Sequence, residues 1–314
     1  LTVTPSIGIS IHPQDGKDIE TLLKNADVAM YKAKEQGRNT FQFYASEMNK
    51  ATLDRLMMES NLRRALKQQE FVLHYQPLVS LRSGLIIGVE ALIRWQHSDL
   101  GLIMPDQFIQ VAEDTGLINP IGDWVLNEAC RQAQSWIDSG LPPMVMAVNV
   151  SPVQFRQLGF VDAVAGALAA SGLEAGLLEL EVTEGTVMHD ADINLGTLSA
   201  LHRMGVELSV DDFGTGYSSL SYLKRFPVSK LKIDRSFVRD LEVDSDDRAI
   251  ASTIVSMGRN LRLTVLAEGV ETAEQLALLR NMDCDMAQGY YFSRPLEAAD
   301  IAELLRTQPF LNQE

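Results

Sequence analysis

Two adjacent carboxylates, Asp211 and Asp212, end an apolar run in the segment LSVDDFGTGYSSL at residues 208–220. Like charges this close raise each other's pKa and oppose folding unless a cation lies between them. Because successive side chains of a strand point to opposite faces, both aspartates can reach one site only where the strand ends. The pair therefore predicts a strand end that holds a cation, most simply a metal ion.

Short β-rich runs that end in polar residues recur from residue 71 onward, and amphipathic helical stretches separate most of them. Eight such runs over about 240 residues favour a (β/α)8 barrel over an open sheet. The first two are separated only by LVSLRSG, which is too short for a crossover helix, so their strands are predicted to be antiparallel. The runs are FVLHYQP, LIIGVEALIRW, VMAVNVS, LLELEVTE, VELSVDDF, KLKID, LTVLAEGVE and AQGYYFSRP.

In barrels of this kind the chemistry lies at the carboxyl ends of the strands. Any one polar residue there could simply cap the following helix, but most of the runs carry one. Glu90 and Asn149 stand between apolar neighbours and are expected to be buried, where a carboxylate needs a partner. The polar residues read as strand ends are Gln76, Glu90, Asn149, Glu181, Glu184, Asp211, Asp212, Lys232, Asp234, Glu268, Glu271 and Gln288.

The candidate metal ligands are oxygen donors, which disfavours zinc and favours Mg²⁺ or Mn²⁺. Two such ions a few ångströms apart suit hydrolysis of a phosphodiester. Lys232 lies between Leu231 and Ile233, so a surface position is disfavoured and a role in holding or polarising water is predicted. The loop at Gly214 and Gly216 is either an ordinary strand-to-helix connection or a mobile loop that sets ligand geometry.

Seven motifs together resemble, in order, the EAL-domain phosphodiesterases of bacterial cyclic-di-GMP signalling, over about residues 55–308. The resemblance implies a TIM-like barrel with one antiparallel strand, often a homodimer through the barrel. It also implies Mg²⁺- or Mn²⁺-dependent opening of cyclic di-GMP to linear pGpG. The motifs are EALIRW (90–95), AVNVS (147–151), ELEVTE (179–184), DDFGTGYSSL (211–220), LKIDRSF (231–237), AEGVE (267–271) and QGYYFSRP (288–295).

The resemblance also implies a role for each residue that matches a motif. Lys232 would orient or deprotonate the attacking water, acting with Glu90 and Glu268, and Glu184 would anchor the loop at 213–220. The nucleotide pocket would be lined by Gln76, Arg94, Asp234, Glu271, Gln288 and Pro295. The metal ligands would be Glu90, Asn149, Glu181, Asp211, Asp212 and Glu268. Two alternatives stay open: a cyclic-di-GMP receptor without turnover, and an unrelated barrel enzyme or structural interaction domain.

The first 45 residues predict a strand, a helix that ends at Gly37 and a short strand, and they resemble the C-terminal end of a GGDEF domain. The signature loop of that family is absent, so this chain is not expected to make cyclic di-GMP. Residues 46–70 read as a linker or first helix, and residues 71–308 as the barrel. The boundary is placed near residue 45.

Composition limits the partners and the compartment. A net charge of −15 over 314 residues argues against binding DNA or RNA polymers through a broad basic surface. No apolar stretch is long enough for a transmembrane helix, so no membrane contact is expected from this chain itself. Two cysteines, Cys130 and Cys284, favour reduced thiols and a cytoplasmic location, although upstream domains could anchor the parent protein to a membrane.

Overall fold

The computed structural model describes residues 4–35, 39–189, 191–216 and 220–307. The chain forms two compact units, Leu1–Gln68 and Gln69–Glu314. The predicted boundary near residue 45 lies inside the first unit, because the helix that follows it groups with the preceding segment.

The first unit contains a small parallel sheet and two helices. Strands β1 (Ile7–Ile9) and β2 (Phe41–Phe43) pair in parallel, and helix α1 (Ile19–Glu35) connects them. Helix α2 (Ser46–Gln68) follows. This confirms the predicted strand, helix and strand, although β1 is shorter than the β-like run in the sequence. The predicted helix end at Gly37 lies outside the described residues.

The second unit is a closed barrel with one additional strand. The strands are β3 (Phe71–Ser80), β4 (Ile86–His97), β5 (Gly101–Ile103), β6 (Val145–Val150), β7 (Leu178–Thr183), β8 (Glu207–Phe213), β9 (Lys230–Ile233), β10 (Thr264–Ala267) and β11 (Met286–Ala287). Both neighbours of β3 in the barrel wall, β4 and β11, run antiparallel to it, and the remaining neighbours β4–β6–β7–β8–β9–β10–β11 run parallel. The eight-stranded barrel and its antiparallel first pair are confirmed. The short β5, which pairs with the end of β4, was not predicted.

Helices cover the barrel, and two begin at caps that the sequence predicts, because Ser151 precedes Pro152 and Thr272 stands three residues before Gln275. The Ser151 hydroxyl accepts a hydrogen bond from the backbone N–H of Val153, and Thr272 forms a reciprocal capping box with Gln275. The helices are α3 (Ile109–Asp114), α4 (Ile118–Asp138), α5 (Pro152–Phe155), α6 (Phe160–Ser171), α7 (Glu184–Met188), α8 (Ala191–Arg203), α9 (Leu220–Leu223), α10 (Arg235–Arg239), α11 (Ser245–Leu261), α12 (Ala273–Asn281) and α13 (Ala298–Thr307). Short 3-10 turns span Pro105–Gln107 and Ala175–Leu177.

The longest barrel helix shows why these segments form and dock. Helix α4 buries Ile121, Val125 and Ala129 at four-residue spacing, which places one apolar stripe against the barrel wall. Among the described residues, no helix combines the length and hydropathy that crossing a membrane requires. Cys130 on α4 and Cys284 before β11 are buried free thiols, as the sequence suggested.

The barrel interior is partly apolar and partly charged. Leu78, Ala147, Leu266 and Met286 form a buried apolar cluster contributed by β3, β6, β10 and β11. The opposite part of the wall, formed by β7, β8 and β9, points polar side chains inward, because alternate residues of a strand share a face. This division positions the charged groups of the site.

Candidate active site

A fully buried lysine stands at the centre of a group of acids inside the barrel. The Nζ atom of Lys232, on β9, lies 2.6 Å from Glu181 Oε2 and 2.6 Å from Glu268 Oε1. Asp211 Oδ1 follows at 3.3 Å and Glu90 Oε1 at 3.9 Å. The four acids come from β4, β7, β8 and the residue after β10, so closure of the barrel brings them together. One cation faces four carboxylates, which leaves the cluster short of positive charge.

The pKa values of the cluster reflect this imbalance. Burial alone would lower the pKa of Lys232, but the surrounding carboxylates raise it well above its ordinary value. Burial raises the pKa of Glu268 to about 8, since the attraction of Lys232 only partly offsets it. Burial likewise raises the pKa of Glu181 well above its usual range. Protons on Glu181 and Glu268 would therefore compete with a metal ion for the same carboxylate oxygens.

Glu90 differs from the other acids because amide groups hold both of its oxygens. Asn149 Nδ2 donates to Glu90 Oε1 and Gln288 Nε2 donates to Glu90 Oε2, each at 2.5 Å. Burial would raise the pKa of Glu90, but Lys232 and these donors together lower it. Gln288 also donates to Gln76 Oε1 at 2.9 Å, and Gln76 donates to the Ser293 carbonyl at 2.9 Å. The charge of Lys232 and a frame of amides thus favour the ionised form of Glu90.

Two expectations about these amides need correction. Asn149 is exposed, although Val148 and Val150 beside it are buried, because it is the penultimate residue of β6 at the open end of the barrel. Gln76 is not at a strand end. It pairs with Glu90 in the middle of β3, which runs opposite to the parallel strands. The reversed direction of β3 brings a mid-strand residue to the site.

Adjacent Asp211 and Asp212 reach one site through a local change of the backbone. Asp212 has φ of 54°, a left-handed conformation that aspartate tolerates better than most residues. The pairing of β8 with β9 also shifts between Val210 and Phe213. Oxygen atoms of Asp211, Asp212 and Glu268 consequently lie within 4.8 Å of one another. Burial, with the nearby charge of Asp211, raises the pKa of Asp212 to about 6.

A cavity of about 610 Å³ opens above this cluster. Arg235 and Tyr290 also line it, and neither was among the residues predicted from the sequence, although both stand inside the motifs LKIDRSF and QGYYFSRP. Arg235 directly follows the predicted Asp234, and Tyr290 stands two residues after the predicted Gln288, and this proximity was the available signal. The selected residues in the wall are Gln76, Glu90, Asp211, Asp212, Asp234, Glu268, Glu271 and Gln288.

Other selected residues lie outside the described lining of the cavity. Arg94 is buried, and its Nη1 donates to the carbonyl of Ile93 at 2.8 Å. Pro295 is half-buried after the Ser293 segment. Glu181 and Lys232 belong to the acid cluster, and Asn149 contacts that cluster through Glu90. None of the three is among the described residues that line the cavity. The predicted metal ligands therefore lie close together, whereas Arg94 and Pro295, two of the predicted pocket residues, lie outside the described cavity wall.

Asp234 both caps a helix and lines the cavity. Its side chain caps α10 by accepting hydrogen bonds from the backbone N–H of Ser236, at 3.0 Å, and from the Ser236 hydroxyl. It also lies within side-chain hydrogen-bonding reach of Asp212 in the cavity wall. Burial would raise the pKa of Asp234, but the hydrogen bonds from Ser236 lower it. A helix cap and a cavity position are therefore compatible in one residue.

Glu184 contacts the loop that follows β8. It is the first residue of α7, it is buried, and its Oε2 accepts a hydrogen bond from the Gly214 N–H at 2.9 Å. A Cβ atom at Gly216 would stand 2.9 Å from Glu184 Oε1, so this approach favours glycine. The beginning of the loop is therefore held by Glu184, and residues 217–219 lie outside the described part of the chain.

The donor set fits a hard divalent cation. Carboxylate and amide oxygens are the ligands that Mg²⁺ and Mn²⁺ prefer. The Oε1 atom of Glu181 is buried and has no hydrogen-bond partner among the described residues, so it is available to a cation. Bound positive charge would also release the protons that Asp212 and Glu268 hold. Fold and site together define a barrel protein with an acidic site for divalent cations at the carboxyl ends of its strands.

Family comparison identifies the barrel. Residues 59–295 match the model of the EAL domain, and residues 1–40 match the model described as diguanylate cyclase, GGDEF domain. This chain belongs to the EAL domain family and carries a GGDEF segment at its N-terminal side. The resemblance seen in the motifs is thereby confirmed.

Two similar proteins come from Pseudomonas aeruginosa. The bifunctional diguanylate cyclase/cyclic di-GMP phosphodiesterase MucR is 51% identical over 96% of this chain, and the cyclic di-GMP phosphodiesterase NbdA is 45% identical over 99%. The chain spans 44% and 40% of these two relatives. A solved structure described as the PaMucR phosphodiesterase in complex with c-di-GMP is 52% identical, with a TM-score of 0.76. It matches 78% of this chain and 99% of its own.

Proposed function

We propose that this chain is a metal-dependent phosphodiesterase that hydrolyses cyclic di-GMP to linear pGpG. The observation that carries the proposal is the buried cluster of Lys232 and four carboxylates below an open cavity. The names of MucR and NbdA, and the cyclic-di-GMP complex of MucR, support the choice of substrate.

The proposed cofactor is Mg²⁺ or Mn²⁺, with two ions in the site. When bound, such ions activate water and stabilise the leaving oxygen of a phosphodiester. The proposed ligands are the acids around Lys232 with their two neighbours: Glu90, Asn149, Glu181, Asp211, Asp212 and Glu268.

In the proposed reaction the water oxygen forms a bond to phosphorus as the bond from phosphorus to the 3′ oxygen breaks. The 3′ oxygen takes up a proton, and the product carries a 5′ phosphate. Lys232 is an ammonium while its carboxylates are ionised, because they raise its pKa. Its Nζ therefore donates a hydrogen bond that holds the water in place. Glu90 and Glu268, on either side of Lys232, keep that ammonium in position.

The remaining selected residues are proposed to bind the nucleotide. Gln76, Asp234, Glu271 and Gln288 already line the cavity. Arg94 would turn from the Ile93 carbonyl to a phosphate oxygen, since its planar fork pairs well with such oxygens. Pro295 would close the wall beside it, and Glu184 would keep the loop at 213–220 ordered through Gly214.

The context of the domain is also a proposal. We assign residues 1–45 to the C-terminal part of a GGDEF domain, residues 46–70 to a linker or first helix, and residues 71–308 to the catalytic barrel. We expect a homodimer through the barrel and a cytoplasmic location. Chromatography coupled to light scattering would test the dimer.

The test of function is chromatography of cyclic di-GMP after incubation with the purified protein in Mg²⁺, Mn²⁺ or EDTA. We expect pGpG with either metal and none in EDTA. Glu90→Ala should lose turnover while its circular dichroism spectrum stays unchanged. Tight binding without product in saturating Mn²⁺ would instead identify a receptor. Failure to bind any guanine dinucleotide would contradict both functions.

A further inference from the structure

A second buried lysine–glutamate pair lies below the acid cluster, inside the same barrel. Lys230 Nζ donates to Glu179 Oε2 at 2.5 Å, and both residues are almost fully buried. Glu179 and Glu181 stand two residues apart on β7, and Lys230 and Lys232 two residues apart on β9. Both pairs therefore point into the barrel, and two residues of a strand separate them by roughly 6.6 Å.

The lower pair is electrically balanced, unlike the cluster above it. Among the described residues, Glu179 has an ion pair with Lys230 alone, and its other oxygen has no hydrogen-bond partner. Neither residue lines the cavity above the acid cluster. Both instead line a cavity of about 910 Å³ at the amino end of the barrel. Direct contact with a substrate above the strands is thus excluded for both.

We propose that the Lys230–Glu179 pair is a positioning device, which keeps Lys232 among the upper carboxylates by neutralising Glu179 from below. A buried carboxylate without a partner attracts the nearest flexible cation. If Lys230 were absent, Lys232, two residues along the same strand, would be attracted down towards Glu179, in competition with the arginines that line the lower cavity. If Glu179 were absent, Lys230 would instead be attracted upwards to Glu181. The role deepens the proposed function and rests on it.

The two single substitutions then have opposite effects on metal binding. In Lys230→Met, the upper acids lose the ammonium that competes with a metal ion, so Mn²⁺ should bind about tenfold more tightly. Turnover should nevertheless fall by roughly tenfold or more, because Lys232 has left its position. In Glu179→Gln, the freed Lys230 competes for Glu181, and Mn²⁺ should bind roughly tenfold more weakly. If the substitutions only unfolded or loosened the barrel, both variants would bind Mn²⁺ more weakly.

The experiment measures Mn²⁺ affinity by electron paramagnetic resonance, and kcat and KM for cyclic di-GMP, in the two single variants and in the double variant Glu179→Gln/Lys230→Met. The double variant should return Mn²⁺ affinity and kcat to within about threefold of the wild type, since it leaves no unpaired charge. KM should stay within about threefold in all of them, because neither residue lines the upper cavity. Glu128→Gln/Arg131→Met, which removes an exposed pair on α4, is the matched control.

Several outcomes would overturn the proposal. Wild-type Mn²⁺ affinity and kcat in both folded single variants would do so, as would a double variant no better than the poorer single one. If Lys230→Met does not fold, the weaker Mn²⁺ binding of Glu179→Gln and its reversal in the double variant decide the matter. Absence of turnover in the wild type would contradict the proposed function, while the Mn²⁺ shifts would still test the pair.

Discussion

Lys230 and Lys232 lie two residues apart on one strand, point into the same barrel, and are both buried against a glutamate of β7. Their surroundings nevertheless differ. Lys230 meets one carboxylate, whereas Lys232 meets four. Burial of a charge is thus no sign of function by itself. The informative feature is the imbalance, which only an added cation or protons can relieve.

The difference also separates two energetic situations. A balanced buried pair loses hydration, and its short contact offsets part of that cost without a ligand. The upper cluster keeps negative charge that the protein does not neutralise, and it raises the pKa of Glu268 and Asp212 instead. The carboxyl end of the barrel therefore keeps an excess of negative charge, which the proposed metal ions would neutralise, while the charges of the lower pair balance each other.

The largest expected effect comes from removing the upper lysine. Lys232→Met should lower kcat by roughly a thousandfold or more, since the group that holds the water is gone. Mn²⁺ should bind at least as tightly as in the wild type, because a competing cation has left. Steady-state kinetics with cyclic di-GMP and a Mn²⁺ titration would measure both. The exposed Lys67→Met is the control, and retained turnover would contradict the role of Lys232.

A second substitution reduces the excess of negative charge around Lys232 by removing an acid. Asp211→Asn removes one carboxylate that lies close to both Asp212 and Glu268. We expect Mn²⁺ affinity to fall by about 100-fold, and turnover at limiting metal to fall with it. Isothermal titration with Mn²⁺ would measure the change. Unaltered affinity in the folded variant would remove Asp211 from the ligand set.

The third prediction concerns pH and stability without metal. Folded Glu268 and Asp212 hold protons up to pH of about 8 and about 6, whereas the unfolded chain releases them near 4. The folded state thus binds more protons between these limits, and its free energy of unfolding should fall as pH rises from 5 to 8. Saturating Mn²⁺ should stabilise the protein more at pH 8 than at pH 5. Thermal melts with Mn²⁺ and with EDTA would show this, and an equal stabilisation at both pH values would contradict it.

The smallest expected effect lies at the amino end of β8. Glu207 stands on the same strand as Asp211 but lines the lower cavity. Glu207→Gln should change the free energy of unfolding by no more than about 0.5 kcal/mol, and should leave Mn²⁺ affinity unchanged. Chemical denaturation and the same Mn²⁺ titration provide the measurement. A large loss of metal affinity here would mean that the lower cavity affects the metal site by a route other than the Lys230–Glu179 pair.

Much of the fold followed from the sequence, for identifiable reasons. Alternation and the spacing of apolar runs predicted the barrel strands, and the seven-residue link LVSLRSG predicted the antiparallel first pair. Caps at Ser151 and Thr272 also followed from local chemistry. The short strand β5 did not, because its three residues carry too little pattern to distinguish them from a loop.

The site was predicted less evenly. Motifs selected the acids around Lys232, and the structure brings them together. They also selected Arg94, whose guanidinium contacts its own strand. The apolar neighbours of Asn149 led to the incorrect expectation that it is buried. The exposure of a residue at a strand end depends on how far that strand extends at the open end of the barrel. Apolar neighbours in the sequence do not indicate how far the strand extends.

The sequence by itself determined that Glu179 and Glu181 share one face of a strand, and that Lys230 and Lys232 share one face of another, because side-chain alternation is local. The motifs selected Lys232, but side-chain alternation by itself does not distinguish the two lysines. Only closure of the barrel decided that Glu90, Asp211 and Glu268 meet at Lys232 and not at Lys230. The reason is that their distances depend on strand order, stagger and the reversed direction of β3, which bring together residues far apart in the chain.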